Sequence, residues 1–186
     1  MAALIALYSP AMQSGKTEVA RTLQLTRGYK LVKFADPFKA FVRDLLVQGG
    51  ATPEMAERMI EEGALKEKVI PSLGVSVRRM LQTLGSEWGR KSVHPDLWLS
   101  LARVKIERCL QAGVSVVVDD MRFPNEYEAI LKLGGHPVKV VRTGTQPYTG
   151  HASEGLLESY PMTILQNNAS LGELRACAER LPELLT

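Results

Sequence analysis

At 186 residues the chain is long enough to bury a full core as one domain. Its 23 basic and 20 acidic residues leave a net charge of +3. That balance excludes a protein built around nucleic acid, where a basic stripe is expected, yet it suits small anionic ligands held by local clusters of Arg and Lys. Cys109 and Cys177 are the only cysteines. With no C-x-x-C spacing they read as buried thiols of a reducing compartment, not as a disulfide or a metal site. The start, Met1 to Pro10, has no basic n-region, and its apolar run is too short for a signal or a membrane span. The expectation is a cytoplasmic protein with no membrane and no nucleic-acid partner.

Taken in chain order, the first element is the apolar run Leu4–Tyr8, a strand. After a tight loop come Ser14-Gly15-Lys16-Thr17 and a helix-like run from Glu18 to Leu25. Strand, loop, Gly-Lys-Thr and helix make the layout of a phosphate-binding loop, in which backbone N–H groups and a helix N-terminus surround a nucleotide's phosphates. Lys16 would reach the β/γ-phosphates and the Thr17 hydroxyl would hold Mg²⁺. The pattern asks for Gly where this chain has Pro10. Proline can still make the turn, but it donates no N–H and cannot take positive φ.

The second strand, Tyr29–Phe34, leads into Phe34-Ala35-Asp36-Pro37-Phe38-Lys39. Pro37 suits a first helical turn. Asp36 is then either a helix N-cap or a carboxylate beside a phosphoryl acceptor, with Lys39 near the acceptor's phosphate. Ala35 to Gly113 is far longer than a crossover needs and is mostly helical in pattern, so it reads as an inserted helical lobe. Within it, Thr52-Pro53 is an N-cap followed by proline. The acidic run Glu54, Glu57, Glu61, Glu62 and Glu67, mixed with Arg58, Lys66 and Lys68, reads as a solvated face. Arg79, Gln82 and Ser86 are spaced to share one α-helical face. Arg78 or Arg79 and Arg90 could grip a phosphate. Gln82 could read a base edge, and Trp88 either stacks on a base or sits in the core. Leu97, Leu101, Val104 and Leu110 mark one side of a helix ending near Gly113.

The third strand, Val114–Val118, is nearly continuous β-branched sequence, as in a strand buried on both faces. It ends in Asp119-Asp120, then Met121-Arg122-Phe123-Pro124-Asn125-Glu126. A carboxylate at such a strand tip, beside a phosphate loop, usually serves Mg²⁺ directly or through water. Either aspartate could instead cap a helix. The fourth strand, Pro137–Val141, gives way to Arg142 and a loop rich in Gly, Pro and hydroxyl residues. That composition fits a lid over about residues 143–158, with His151 in contact with acceptor or lid. A weaker fifth strand, Met162–Leu165, precedes Asn167-Asn168-Ala169-Ser170, and Ser170 to Glu173 is a capping box opening the last helix.

Strands alternating with helices predict an α/β fold: a five-stranded parallel sheet flanked by helices, with ligands at the carboxyl ends of its strands. The core would comprise residues 1–34 and 114–186, and the helical lobe residues 35–113, within a single domain.

Five segments in order resemble the bacteriophage-type deoxynucleoside monophosphate kinases, members of the P-loop nucleoside monophosphate kinase superfamily. They are Ser14-Gly15-Lys16-Thr17, Phe34 to Lys39, Leu81 to Arg90, Asp120 to Glu126 and His151-Ala152-Ser153-Glu154. The resemblance implies a P-loop kinase fold with an acceptor-binding helical insertion and a short lid. It implies transfer of the γ-phosphoryl group of ATP, with Mg²⁺, to a deoxynucleoside 5′-monophosphate for DNA precursor synthesis in a phage host's cytoplasm, and it points to a homodimer. Gln13, Ser14, Gly15, Lys16, Thr17 and Glu18, with Arg142, Asn167 and Ser170, fall to ATP. Asp36, Lys39, Arg79, Gln82, Trp88, Arg90, Arg122, His151 and Glu154 fall to the acceptor. Lys16, Asp36, Asp120 and Arg122 carry the chemistry. Thr17 and, through water, Asp120 hold Mg²⁺. The rival readings are a P-loop kinase of another phosphorylated acceptor, such as phosphomevalonate or dephospho-coenzyme A, and a nucleotide-binding module without an acceptor. The Gln82/Trp88 pair favours an acceptor with a base.

Overall fold

The computed structural model describes residues 2–11, 13–145 and 155–185. The chain forms two compact units, Met1–Phe34 with Ala102–Thr186, and Ala35–Leu101.

The first unit contains β1 (Leu4–Tyr8), α1 (Lys16–Arg27) and β2 (Lys30–Leu31). The chain leaves it for α2 (Asp36–Gln48), α3 (Pro53–Glu61), α4 (Gly63–Glu67), β3 (Val69–Ile70), β4 (Val75–Ser76) and α5 (Val77–Gln82). A π-helix, Thr83–Val93, and α6 (Leu97–Gln111) follow, and the boundary between units falls inside α6. The first unit is completed by β5 (Val116–Val118), α7 (Pro124–Lys132), β6 (His136–Val141), β7 (Thr163–Gln166) and α8 (Leu171–Leu184).

Five strands form one sheet in the order β2-β5-β1-β6-β7, every pair parallel. This is the expected parallel sheet. β1 is buried at every position, as is β5, because helices must cover both faces of a parallel sheet. Ile5, Leu7, Val117, Val138 and Val140 pack with Val19 and Leu23 of α1 and Leu174, Ala178 and Leu181 of α8. Gly28 and Gly113 both have positive φ and follow α1 and α6 as C-terminal stops. Ser170 opens α8 with its hydroxyl accepting from Glu173 N–H, and the Glu173 carboxylate returns to Ser170 N–H.

β2 is shorter than the predicted Tyr29–Phe34. Val32 N–H still reaches Val117 O at 3.0 Å, but Phe34 N–H goes to the Asp120 carboxylate at 3.0 Å. A side chain there takes over the ladder. The predicted buried side of α6 is also corrected. Leu101 and Val104 are exposed, whereas Trp98, Ala102 and Ile106, at four-residue spacing, are buried. Cys109 and Cys177 are half-buried free thiols, less enclosed than predicted. No helix of the described residues is long and apolar enough to cross a membrane.

The second unit has its own core of Val42, Leu46, Ala56, Ile60 and Val77. Thr52 caps α3, accepting from Met55 N–H. The acidic run is more than a solvated face, since Glu61 pairs with Lys39 at 2.6 Å and Glu57 with Arg43 at 2.5 Å, both on α2. The antiparallel hairpin of β3 and β4, two residues to each strand, was not predicted.

Lys66 on α4 is half-buried. Burial, chiefly, and the neighbouring Lys39 and Arg78 push its pKa below the usual lysine range, against the opposing pull of Glu61 and Glu67. A depressed folded pKa means the charged side chain costs stability below that pKa, and the cost fades as pH rises toward the unfolded lysine value. Lys66→Met is therefore expected to raise the melting temperature at neutral pH by about 1–2 °C, small because half the group faces solvent. The gain should shrink on titration toward pH ~10. A gain that is flat across that range would trace to packing instead.

Candidate active site

β1 delivers the chain to Ser9, whose hydroxyl accepts from Ala11 N–H at 3.2 Å and closes a turn around Pro10. The turn that glycine was expected to supply is thus held by a serine side chain. Two residues then take left-handed backbone, Gln13 (φ 56°) and Gly15 (φ 103°). A non-glycine residue there stores strain of the kind found at functional sites. Gly15 has no room for a side chain. A Cβ would lie 2.6 Å from Asn167 Nδ2 and 3.0 Å from Leu174 Cδ2. Asn167, buried, donates its amide to Ser14 O at 2.8 Å, while its own N–H bonds to Val141 O at 2.7 Å. The loop is therefore tied to the segment after β7.

Helix α1 starts at Lys16 directly after Gly15. The first-turn N–H groups of a helix lack intrahelical acceptors, so this end attracts anions. Lys16 is half-buried and Thr17 exposed. Glu18 forms an ion pair with Arg175 at 2.6 Å. The Ser14 hydroxyl is buried, with no hydrogen-bond partner among the described residues.

β5 lies beside β1, parallel, with Val118 opposite Ala6, so Asp119 emerges at the same carboxyl end of the sheet as the loop. Asp119 is buried. Its Oδ2 lies 3.3 Å from Lys33 Nζ, whereas its Oδ1 has no hydrogen-bond partner among the described residues. An oxygen in that condition is costly unless a cation or donor meets it. Asp120 is less buried and gives one oxygen to Phe34 N–H. The Glu126 carboxylate, fully buried, accepts from Arg122 N–H at 2.7 Å and Phe123 N–H at 3.1 Å. That fixes the turn that leaves the Arg122 side chain exposed. The positioning role of Glu126 was missed: Glu126 caps the backbone of Phe123 from N3, but the N-cap is a phenylalanine with no side-chain acceptor, so the usual Ser/Thr-x-x-Glu signature is absent.

In the second unit, α2 begins at Asp36 itself, with Ala35 as N-cap and no side-chain capping bond. The N-cap reading of Asp36 is corrected: Pro37 fits inside the first turn, so the helix starts one residue earlier. Lys39 pairs with Glu61 at 2.6 Å and Arg79 with Glu87 at 3.2 Å. Arg78 pairs with Glu67, and Arg90 donates to Pro95 O at 3.2 Å. Arg79 and Gln82 lie on α5, but Ser86 lies in the π-helix, so the expected α-helical spacing of all three does not hold. Trp88 is 49% exposed and Trp98 5%. The core tryptophan is Trp98, and the core alternative for Trp88 falls.

Arg142 is exposed at the end of β6, and its carbonyl accepts from Thr145 Oγ1 at 2.7 Å. The Ser170 hydroxyl is engaged with Glu173. His151 and Glu154, with the middle of the predicted lid, lie outside the described residues. Among the described residues, no group of three or more His, Cys, Asp or Glu is placed to hold a metal on its own.

A parallel sheet whose central strand runs into a strained loop, then Gly15-Lys16-Thr17 at a helix start, has the layout of a P-loop protein. A sequence model of the deoxynucleotide monophosphate kinase family matches residues 53–177, well over half of the chain, and the chain belongs to that family. The match begins beyond the phosphate loop, so the two observations are independent. A deoxynucleotide monophosphate kinase of Acanthamoeba polyphaga mimivirus is 28% identical over 174 residues, 86% of each chain. The deoxynucleoside-5′-monophosphate kinase of Escherichia phage T5 is 38% identical over 74 residues, 40% of this chain and 28% of the phage protein. Among solved structures, a sugar kinase from Janibacter sp. HTCC2649 aligns over 98% of this chain and 95% of its own, with 13% identity and a TM-score of 0.47.

Proposed function

We propose that this enzyme transfers the γ-phosphoryl group of ATP to a deoxynucleoside 5′-monophosphate, giving ADP and the deoxynucleoside diphosphate. One observation carries the reading: Gly15-Lys16-Thr17 opens α1 right after β1 and a left-handed turn, in the same chain as the family's sequence pattern, which starts beyond it. The loop amides and Lys16 would hold the donor's β- and γ-phosphates. Asp36, Lys39, Arg79, Gln82, Trp88, Arg90 and Arg122 would serve the acceptor, with Arg122 steadying charge on the transferred group. His151 and Glu154 are assigned to the acceptor on sequence grounds alone. Gln13, Ser14, Thr17, Glu18 and Arg142 remain donor-side. The Asn167 and Ser170 side chains act on protein groups, so their contribution to ATP is to shape the loop and its surroundings.

The donor set suits Mg²⁺. A buried carboxylate oxygen on Asp119 with no hydrogen-bond partner among the described residues and the Thr17 hydroxyl are the hard oxygen ligands such an ion takes. This favours Asp119 over Asp120 as its carboxylate. When bound, the ion neutralises charge on the β- and γ-phosphate oxygens. The mimivirus and phage relatives support a host-cytoplasmic setting and a role in DNA precursor supply, and a homodimer remains part of the proposal.

A panel of dAMP, dGMP, dCMP and dTMP in a coupled ADP-release assay tests the reading. ADP release is expected only with an accepted monophosphate. Hydrolysis at the same rate without any acceptor would overturn it.

A further inference from the structure

The segment Thr83–Val93 is a π-helix eleven residues long. Its wider turn is seen in the backbone bond of His94 N–H to Gly89 O at 3.0 Å, five residues back, and the Ser92 hydroxyl donates to Glu87 O at 2.8 Å. Such turns occur mostly as single bulges, often at functional sites, so something must hold this long run. The fit around Trp98 accounts for it. A Cβ on Gly89 would lie 2.4 Å from Trp98 Cζ2 and Nε1, and one on Gly85 would lie 3.2 Å from Phe38 Cζ. The Trp98 indole N–H donates to Gly85 O at 2.8 Å, in a buried setting. Phe38 backs the indole with its ring centroid 5.1 Å away. Two glycines and a planar side chain are thus locked together, and Trp88 sits between those glycines in sequence.

The Trp88 ring lies 6.1 Å from that of Trp98 at an interplanar angle of 42°, one side against the buried indole and about half its surface open. An amphipathic ring packed against a buried indole and about half open is the kind of surface base stacking uses, and stacking tolerates any base.

We infer that Trp98 is a positioning residue that fixes the π-helix and thereby holds Trp88 as the stacking surface for the acceptor's base. This rests on the proposed acceptor being a nucleotide.

The chain has two tryptophans, so in Trp98→Phe all tryptophan emission comes from Trp88. Phenylalanine keeps a ring against Phe38 and Gly89 but cannot donate to Gly85 O. With a dNMP accepted by the wild type, Trp98→Phe is expected to raise acceptor KM at least about fivefold and leave KM for ATP unchanged. Saturable quenching of Trp88 should move to correspondingly higher dNMP concentration, and deoxyribose 5-phosphate should not quench. Wild-type acceptor KM and quenching in Trp98→Phe, even with a lowered melting temperature, would overturn the inference. If Trp98→Phe does not fold, Trp88→Ala, a surface change, decides. An unchanged acceptor KM there overturns the inference, because Trp98 acts only through Trp88. Wild-type enzyme that neither turns over nor is quenched by any dNMP would bring down the kinase reading itself. Turnover with a silent Trp88 brings down only this inference.

Discussion

Lys16→Ala is expected to lower kcat for dNMP phosphorylation by roughly 10³-fold, the scale on which a preorganised charge acts in a water-poor site, while leaving the fold intact. The residue occupies the first position of α1, directly after Gly15, and alanine is the best helix former. Loop shape depends on other groups: Ser9 closing the turn at Pro10, Gly15 packed against Leu174 and Asn167, and Asn167 holding Ser14 O. The variant should therefore melt within a few degrees of wild type, since Lys16 is half-buried at a helix start and outside the core. Lys16→Arg is not expected to rescue, because a planar guanidinium is larger than the ammonium and presents its donors in a fixed fork. ADP release at saturating dNMP, alongside thermal melting, measures both claims. A Lys16→Ala enzyme with near-normal kcat would remove Ser14–Thr17 from the donor site.

Which parts of the molecule were readable from sequence follows from the range of the forces involved. β1 was readable to the residue, and β5 nearly so, because a strand covered on both faces must be apolar throughout. Thr52 and Ser170 were readable because capping is local. Elements set by a partner distant in sequence were not. The ladder at β2 stops where Asp120, on another strand's end, captures Phe34 N–H. The π-helix depends on Trp98 pressing on Gly85 and Gly89, and nothing between Thr83 and Val93 announces it. For the same reason the sequence could not say which of Trp88 and Trp98 was the buried one. The site shows the same division. Gly15-Lys16-Thr17 carries its own meaning, whereas the anchoring of Ser14 by Asn167 is a contact across the sheet that no local pattern encodes.

Asp119→Asn separates the two strand-end aspartates. The change keeps volume and planarity, so the buried position stays filled, and the new side chain can still offer an oxygen to Lys33, 3.3 Å from Asp119 Oδ2. What it removes is the negative charge on a buried oxygen that has no other partner among the described residues. If that oxygen serves Mg²⁺, directly or through water, kcat should fall by roughly 10²-fold and half-saturation should move to higher Mg²⁺ concentration. Asp120→Asn should do less, because an asparagine oxygen can still accept from Phe34 N–H at the 3.0 Å seen for Asp120 Oδ1. Its effect is then expected mainly in stability, at about 1 kcal/mol or less. The measurement is a Mg²⁺ titration of dNMP-dependent ADP release for wild type and both variants. A larger Mg²⁺ shift in Asp120→Asn than in Asp119→Asn would return the metal to Asp120, the residue the family resemblance picks out. Asp119 would then be left as the buried partner of Lys33, a structural ion pair that holds β2 beside β5.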